Sequence, residues 1–246
     1  MGIHVTVRAF GALMALVLVG SFVYGPAPAT GGTPVGAIAR IQGGAMIQQA
    51  GTAGFAPLNE GQAVNVGDVI ATDAEQRSRI WWHGSLPFEA DASLGHYTSL
   101  GFVKYEQSGS ASAFLAQLGQ GVARFVKVLP KTSPPSSFMI FTPTALIEVV
   151  PNDDRADFVV EVRGETRTTV TCIWGEIRVK NISDRLVGAR HITACRKVTI
   201  EQNKEPFRPV GVSTAALRQL IRQTTMQWRF SRGPKETIFL PLKCPP

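Results

Sequence analysis

The stretch DFVVEVRGETRTTVTCIWGEIRVKN, residues 157–181, constrains the fold more than any other part of the chain. Phe158, Val160 and Val162 fall on one side of an extended segment while Glu161 and Arg163 fall on the other, and Ile177 and Val179 oppose Arg178 and Lys180 in the same way. A period of two means strands with one face buried and one facing water or a partner. Arg163-Gly164-Glu165 is short and Gly-centred between two such runs, which predicts a hairpin, and Trp174-Gly175-Glu176 separates the next pair similarly. Comparable runs at 36–42, 45–50, 68–72, 78–83, 98–105, 121–128, 137–142 and 196–201 are rich in Val, Ile, Thr and aromatics, with Gly, Pro, Asn or Asp in the gaps. The expected fold is therefore all-β, with many short antiparallel strands forming a β-solenoid-like stack or a sandwich. No βαβ rhythm occurs and no Gly-rich loop opens a helix, which argues against a nucleotide-binding enzyme. The Pro-rich KTSPPSS, 131–137, reads as a loop or a seam between two β halves.

One segment departs from this rhythm. In STAALRQLIRQT, 213–224, Leu217, Leu220, Ile221 and Thr224 make a stripe at helical spacing, Arg218 and Arg222 sit four apart beside it, and Ser213 can cap the first turn. The spacing predicts one C-terminal amphipathic helix. Either it packs its stripe on the β body, or it docks a basic face on a membrane surface or partner.

The N-terminus reads as a targeting segment. Arg8 precedes an apolar run from Ala9 to Tyr24, and Ala27-Pro28-Ala29 follows. Charged start, short apolar core and small-x-small exit describe a secretory signal peptide over 1–29, cleaved after Ala29. The run falls short of the roughly 20 residues a spanning helix needs, so an uncleaved anchor is the weaker alternative. A soluble periplasmic or secreted product is expected, divided into a β domain over 30–205 and a basic helix and tail over 206–246.

Export gives the three cysteines meaning, because an oxidising compartment lets a pair bridge. Cys172 and Cys195 lie in neighbouring strand-like runs, which favours Cys172–Cys195; Cys195–Cys244 would instead staple the tail. All three buried as small apolar residues is the remaining possibility.

Charge is uneven. The chain carries a net +7, yet residues 185–246 hold 12 Lys and Arg against three acids, while residues 30–184 hold 12 against 15. A basic end on a slightly acidic body suggests contact with something anionic. Arg218, Arg222, Arg229, Arg232 and Lys235 are the candidate contacts. Nucleic acid is a poor match for an exported protein.

Catalytic constellations are hard to assemble from these residues. After the targeting segment the histidines are His83, His96 and His191; no GxSxG or HExxH occurs, and the three lack metal-ligand spacing. His83-Gly84-Ser85 reads as a turn at the end of a strand, as does Gly67-Asp68, where the carboxylate would bind nearby backbone amides. PNDDRADF, 151–158, clusters Asn152, Asp153, Asp154 and Asp157, but lacks the DxDxDG order of a calcium loop, so a polar turn is expected. Trp81 and Trp82 would point to opposite faces of a strand, one of them toward the core. No cofactor or metal is expected.

Taken together, several segments resemble the FecR-domain family of bacterial exported proteins. They are GAIARIQGGAMIQQAG; APLNEGQAVNVGDVIATDAEQRSRIWWHGS, with its GD.I.T pattern; QGVARFVKV; SFMIFTPTALIEV, with TPTA; and TTVTCIWGEIRVKN. The likeness spans about 36–201. His83-Gly84-Ser85 stands where the family has DGS, LPFEADAS looks inserted after it, and Val149-Val150-Pro151-Asn152 replaces VRGT. The resemblance implies a solenoid-like or sandwich-like periplasmic module without catalytic residues, in which Gly67, Asp68, Gly84, Gly164 and Gly175 are structural turns. Well-known relatives carry a cytoplasmic anti-sigma segment ahead of a membrane helix. Only eight residues precede the apolar run here, so a stand-alone module is expected. The functional expectation is a non-enzymatic binding or signalling-accessory module that contacts an envelope protein, through a strand edge, or an envelope ligand. The alternatives are an attachment protein whose basic end holds anionic lipid or wall polymer, with peripheral membrane contact, and an envelope-polymer hydrolase.

Overall fold

A computed structural model describes residues 32–73, 79–84, 89–108, 111–128, 136–150, 155–183, 188–224 and 244. It is all-β with a single helix among the described residues. In chain order the first strands are β1 Pro34–Gln42, β2 Ala45–Gln48, β3 Ala56–Pro57, β4 Ala63–Asn65, β5 Val69–Thr72 and β6 Arg79–Gly84. Next come β7 Glu89–Leu94, β8 Ser99–Ser108, β9 Ala111–Val128, β10 Ser136–Phe141, β11 Ala145–Val149 and β12 Arg155–Arg163. The last are β13 Arg167–Trp174, β14 Glu176–Asn181, β15 Ala189–Thr193, β16 Arg196–Glu201 and β17 Val210–Gly211, followed by helix α1, Thr214–Thr224.

Strand pairing sorts these into two open sheets that share β9. Sheet I runs β4–β1–β6–β7–β9–β12–β13–β16–β17, antiparallel throughout. Sheet II runs β3–β2–β5–β8–β9–β10–β11–β14–β15. Its β9–β10 pair is parallel, the one exception to the antiparallel pairing among the described residues. That exception follows from β9 itself. Its first part lies in sheet II and its second in sheet I, so the chain travels a full crossover before β10 returns beside residues 112–117. Parallel neighbours need such a crossover.

β9 changes sheets at Gly119–Gly121. Gly121 has φ +88°, and a Cβ there would lie 2.3 Å from Thr98 Oγ1 and 2.5 Å from Tyr97 O, so only glycine lets the two backbones meet. Other sheet changes also use left-handed residues: Tyr97 between β7 and β8, Gly175 between β13 and β14, and Cys195 between β15 and β16. Gly164 turns the β12–β13 hairpin as the sequence predicts. Gly175 corrects the expectation, because it passes the chain from sheet I to sheet II instead of joining paired strands.

The core lies between the sheets. Phe102, Phe114 and Phe138 from sheet II meet Phe125 and Phe158 from sheet I, with Phe114 and Phe138 stacked at 4.8 Å and Phe125 and Phe158 at 5.5 Å. Alternating Val160, Val162, Val170, Ile177, Val179, Val198 and Ile200 surround them, all buried. Two threonine clusters tie the sheets' ends. Thr72 Oγ1 donates to Gly95 O at 2.7 Å and accepts from Thr98 N at 2.8 Å. Thr142 and Thr144 each share a hydrogen bond with the Thr168 hydroxyl, at 2.8 and 2.7 Å. The threonines of the GD.I.T and TPTA patterns are thus buried hydrogen-bonding groups, for which a valine of the same shape would strand the partners.

Candidate functional site

The two outer faces of the sandwich are where a partner could bind, and sheet I carries the more polar one. Alternation sends Val159, Glu161 and Arg163 outward from β12, and Thr169, Thr171 and Ile173 outward from β13. Helix α1 covers one end. Leu217 and Ile221 pack on Val159, Ile173 and Cys195, with Val122, Val212, Leu220 and Cys244 at the margin. Ser213 caps the helix: its Oγ accepts from Ala216 N at 3.2 Å. This leaves Arg218 and Arg222 exposed on the far side of α1.

The cysteines explain how the helix is held. Cys195 is bonded to Cys244, with a Cα–Cα distance of 5.5 Å. This differs from the favoured Cys172–Cys195 pairing, although the two residues are backbone neighbours, Cys195 N donating to Cys172 O at 2.9 Å. The reason is direction. Cys172 faces the inter-sheet core, its Sγ 3.4 Å from the carbonyls of Trp174 and Gly175, whereas the left-handed turn at Cys195 aims its side chain toward α1.

Beyond the helix, the same face of sheet I opens into a groove of about 340 Å³. Glu161, Arg163, Arg167, Thr169, Lys197, Thr199 and Phe207 line it. The Thr169 and Thr199 hydroxyls meet at 3.3 Å on its floor, and the exposed ring of Phe207 forms a wall, its amide bonded to Thr199 O. Arg163 pairs with Glu161 at 2.7 Å, and Arg167 with Glu201 at 2.6 Å. Lys204 also reaches Glu201, at 2.7 Å, and the two cations hold the Glu201 carboxyl below its ordinary pKa. Lys197 makes no ion pair among the described residues. Cations, hydroxyls and an aromatic edge together suit an anionic group carried on a partly apolar ligand.

The sequence did not nominate this groove. Its water-facing residues were legible in β12, but the β13–β16 pairing that brings Lys197 and Thr199 beside Thr169 spans some thirty positions and leaves no local trace. Of the nominated cations, Arg218 and Arg222 are exposed on α1, while Arg229, Arg232 and Lys235 lie outside the described residues.

The other nominated residues sit apart from it. Asp68 is buried; its carboxylate accepts from Ala50 N at 2.9 Å and Asn65 N at 2.8 Å, and Gly67 turns beside it at φ +91°. Gly84 is the last residue of β6, opposite Gly36 of β1, which extends the strand through a position expected to turn; Ser85 is outside the described residues. His83 lies on β6 opposite Asp91 of β7, His96 is exposed next to the left-handed Tyr97, and His191 Nδ1 lies 2.8 Å from Glu176 on β14. These three stations belong to different strands and turns. Asp157, from the acidic loop, forms a two-pronged pair with Arg124, at 2.9 and 2.6 Å, and both side chains are fully buried; Asn152, Asp153 and Asp154 are outside the described residues. No group of three or more metal-ligating side chains converges among the described residues. No described helix is long and apolar enough to cross a membrane. The sheet edges are short, β3 and β17 having two residues each, β4 three and β15 five.

Neither a family model nor a curated protein matches this chain, so the FecR-domain resemblance stands on its motifs. Among solved structures, a putative anti-sigma factor from Parabacteroides distasonis ATCC 8503, at 2.50 Å resolution, aligns with a TM-score of 0.40 and 14% identity over 58% of each chain. A second structure of a putative anti-sigma factor from that organism, at 1.65 Å, aligns with a TM-score of 0.42 and 13% identity, over 63% of this chain and 74% of the other. Likeness at that level carries no argument about what the chain does.

Proposed function

We propose that this protein is a non-enzymatic exported binding module that engages an anionic group of an envelope partner through the outer face of sheet I. The observation that carries the reading is the groove in which Lys197, with no ion pair among the described residues, stands with Arg163 and Arg167, paired to Glu161 and Glu201, around two hydroxyls and Phe207. Export accords with the Ala9–Tyr24 apolar run ahead of a small-x-small site and with the Cys195–Cys244 bond, since such bonds persist in oxidising compartments. The test is crosslinking in intact envelopes, comparing the natural chain with Arg163→Gln/Lys197→Gln. Loss of a specific partner band, with an unchanged melting temperature, supports the groove. Equal capture by both chains removes it.

A second reading, attachment to anionic lipid or wall polymer through the basic end, draws on the exposure of Arg218 and Arg222. Truncation is a poor test, because residues 213–246 include Cys244 of the disulfide and the helix that covers part of sheet I. Arg218→Gln/Arg222→Gln keeps both. Sedimentation with anionic vesicles or wall fragments should fall on that substitution and with salt, screening acting over about 10 Å at 0.1 M; unchanged sedimentation excludes the reading.

A further inference from the structure

The outer face of sheet II presents a different surface. Phe114, Ala116 and Leu118 point into the core, so Ala113, Leu115 and Gln117 point outward from β9; by the same alternation Met139 and Phe141 point outward from β10 and Leu146 and Glu148 from β11. Register lays these out in rows. Lys104, Leu115, Met139, Glu148 and Arg178 form one; Gly101, Gln117, Phe141, Leu146 and Lys180 form the next. Leu115, Met139, Phe141 and Leu146 are half-buried, and Val103, the extra residue of a bulge in β8, is exposed. The described helix lies on sheet I and leaves this face alone. An apolar centre with a charged rim is how an interface is built.

Gly101 gives this face a dent among its larger side chains. A Cβ there would meet Val69 Cγ2 at 3.6 Å and Gln117 O at 4.0 Å, which is ordinary contact, and its φ is not left-handed. The fold does not require glycine at this point. Gly101 lies between two register irregularities of β8, at Ser99/Leu100 and Phe102/Lys104, and its missing side chain leaves a dent in the outer face. We infer that the occupant is a second copy of this chain, related by a half-turn about an axis running along the strands between β9 and β10. That operation sets Leu146 of one copy over the Gly101 dent of the other, Leu115 over Met139, Gln117 over Phe141, and Lys104 over Glu148. The match is self-complementary in shape and charge, which a two-fold interface demands. Lys104 and Glu148 already hold partners within the chain, Glu106 at 2.8 Å and Arg178, so each contact joins two charge pairs.

The test is sedimentation equilibrium of the full mature chain from low to high micromolar concentration. The natural chain should dimerise. Gly101→Arg, which fills the dent, should be monomeric, and should melt with the natural chain at concentrations too low for association. Lys104→Glu alone and Glu148→Lys alone should each weaken association about tenfold or more, and the double swap should restore it. A natural chain that stays monomeric throughout, including one that assembles only with another protein, overturns the proposal. So does a dimer indifferent to these substitutions, or a double swap that fails to recover, and the charge variants decide the matter if Gly101→Arg does not fold. The result is independent of the groove on sheet I, whose residues the variants leave intact.

Discussion

The two outer faces of this sandwich differ in how their side chains are covered. On sheet I, Val159 and Ile173 are buried beneath a helix the same chain supplies and staples in place, and Arg124 and Asp157 on that face are fully buried as well. On sheet II, side chains at comparable central positions, Leu115, Met139, Phe141 and Leu146, are half-buried, and no described helix lies over them. A sheet face hidden by its own chain can hold a charge pair out of water. A face that the described residues leave uncovered must keep its side chains compatible with solvent. The contrast teaches that the same alternation along a strand yields buried structural chemistry where the chain covers its own sheet, and a half-exposed apolar surface where the described residues leave it uncovered.

The strongest way to break that contrast is at the buried pair. Asp157→Ala leaves the Arg124 guanidinium buried without its two-pronged partner, and should cost about 3–5 kcal/mol. Arg124→Met with Asp157→Leu, which removes both charges, should cost far less, because the desolvation penalty disappears with them. By contrast, Glu148→Gln on the open face should change stability by less than about 1 kcal/mol, as for an exposed pair. Urea denaturation of the three variants measures all of this. Equal losses at Asp157 and Glu148 would remove the distinction between the faces.

Next in size is the staple. Cys195–Cys244 closes a loop of sequence separation 49, and Cys244→Ser should destabilise by about 2–4 kcal/mol. The loss should fall first on α1, so amide exchange at Leu217 and Ile221 should accelerate more than at Phe158 or Val160 in the core. Uniform acceleration would mean that the disulfide holds the whole sandwich and not just the cover of sheet I.

How much of this was legible follows from which forces act locally. Alternation disclosed β14, β16 and the second half of β12, where Val160 and Val162 go to the core and Glu161 and Arg163 toward water; earlier in β12, Asp157 and Val159 are buried on the outer side. It failed at β7, where Asp91 and Ser93 are buried on the side facing away from the core, so polar side chains do not mark a wet face. It failed again in the first part of β9, since ASAFLAQLGQ is mostly Ala, Leu and Gln, residues that prefer helices; pairing with β8 on one side and β10 on the other overrides that preference. The order of strands was out of reach. β11 pairs with β14 and β13 with β16, each skipping a pair of strands that lies in the other sheet. For the same reason strand adjacency suggested Cys172 for Cys195, while side-chain direction, decided by one left-handed turn, chose Cys244.

Two glycines sharpen the comparison at a smaller scale. Gly121→Ala must adopt φ +88° and place its Cβ 2.6 Å from Thr98 Cα, a backbone atom that cannot swing aside, and should lose about 1–3 kcal/mol. Gly101→Ala has room and an ordinary φ, and should be neutral or gain up to about 1 kcal/mol in folding, because the unfolded chain loses freedom. Thermal melts of the two variants, taken at the lowest usable concentration so that self-association does not contribute, separate a glycine the fold needs from one the surface uses. Comparable destabilisation of both would mean that sheet II tolerates no side chain at 101, and the dent would then be a packing feature.

The smallest effect concerns the exposed charges beside the groove. Hydrogen bonds from Lys204 and Arg167 lower the Glu201 pKa from its ordinary 4.5, and burial opposes them. A depressed carboxyl binds its proton less readily folded than unfolded, so its contribution is present above the unfolded value and disappears as pH falls through the folded one. Glu201→Gln should therefore melt slightly below the natural chain at neutral pH and converge with it in acid below about pH 4.5. Added salt should narrow the gap at neutral pH, since the side chain is at the surface and its ion pairs are screened. A gap that persists unchanged into acid would assign the loss to packing of the Glu201 side chain between Arg167 and Lys204, and not to its charge.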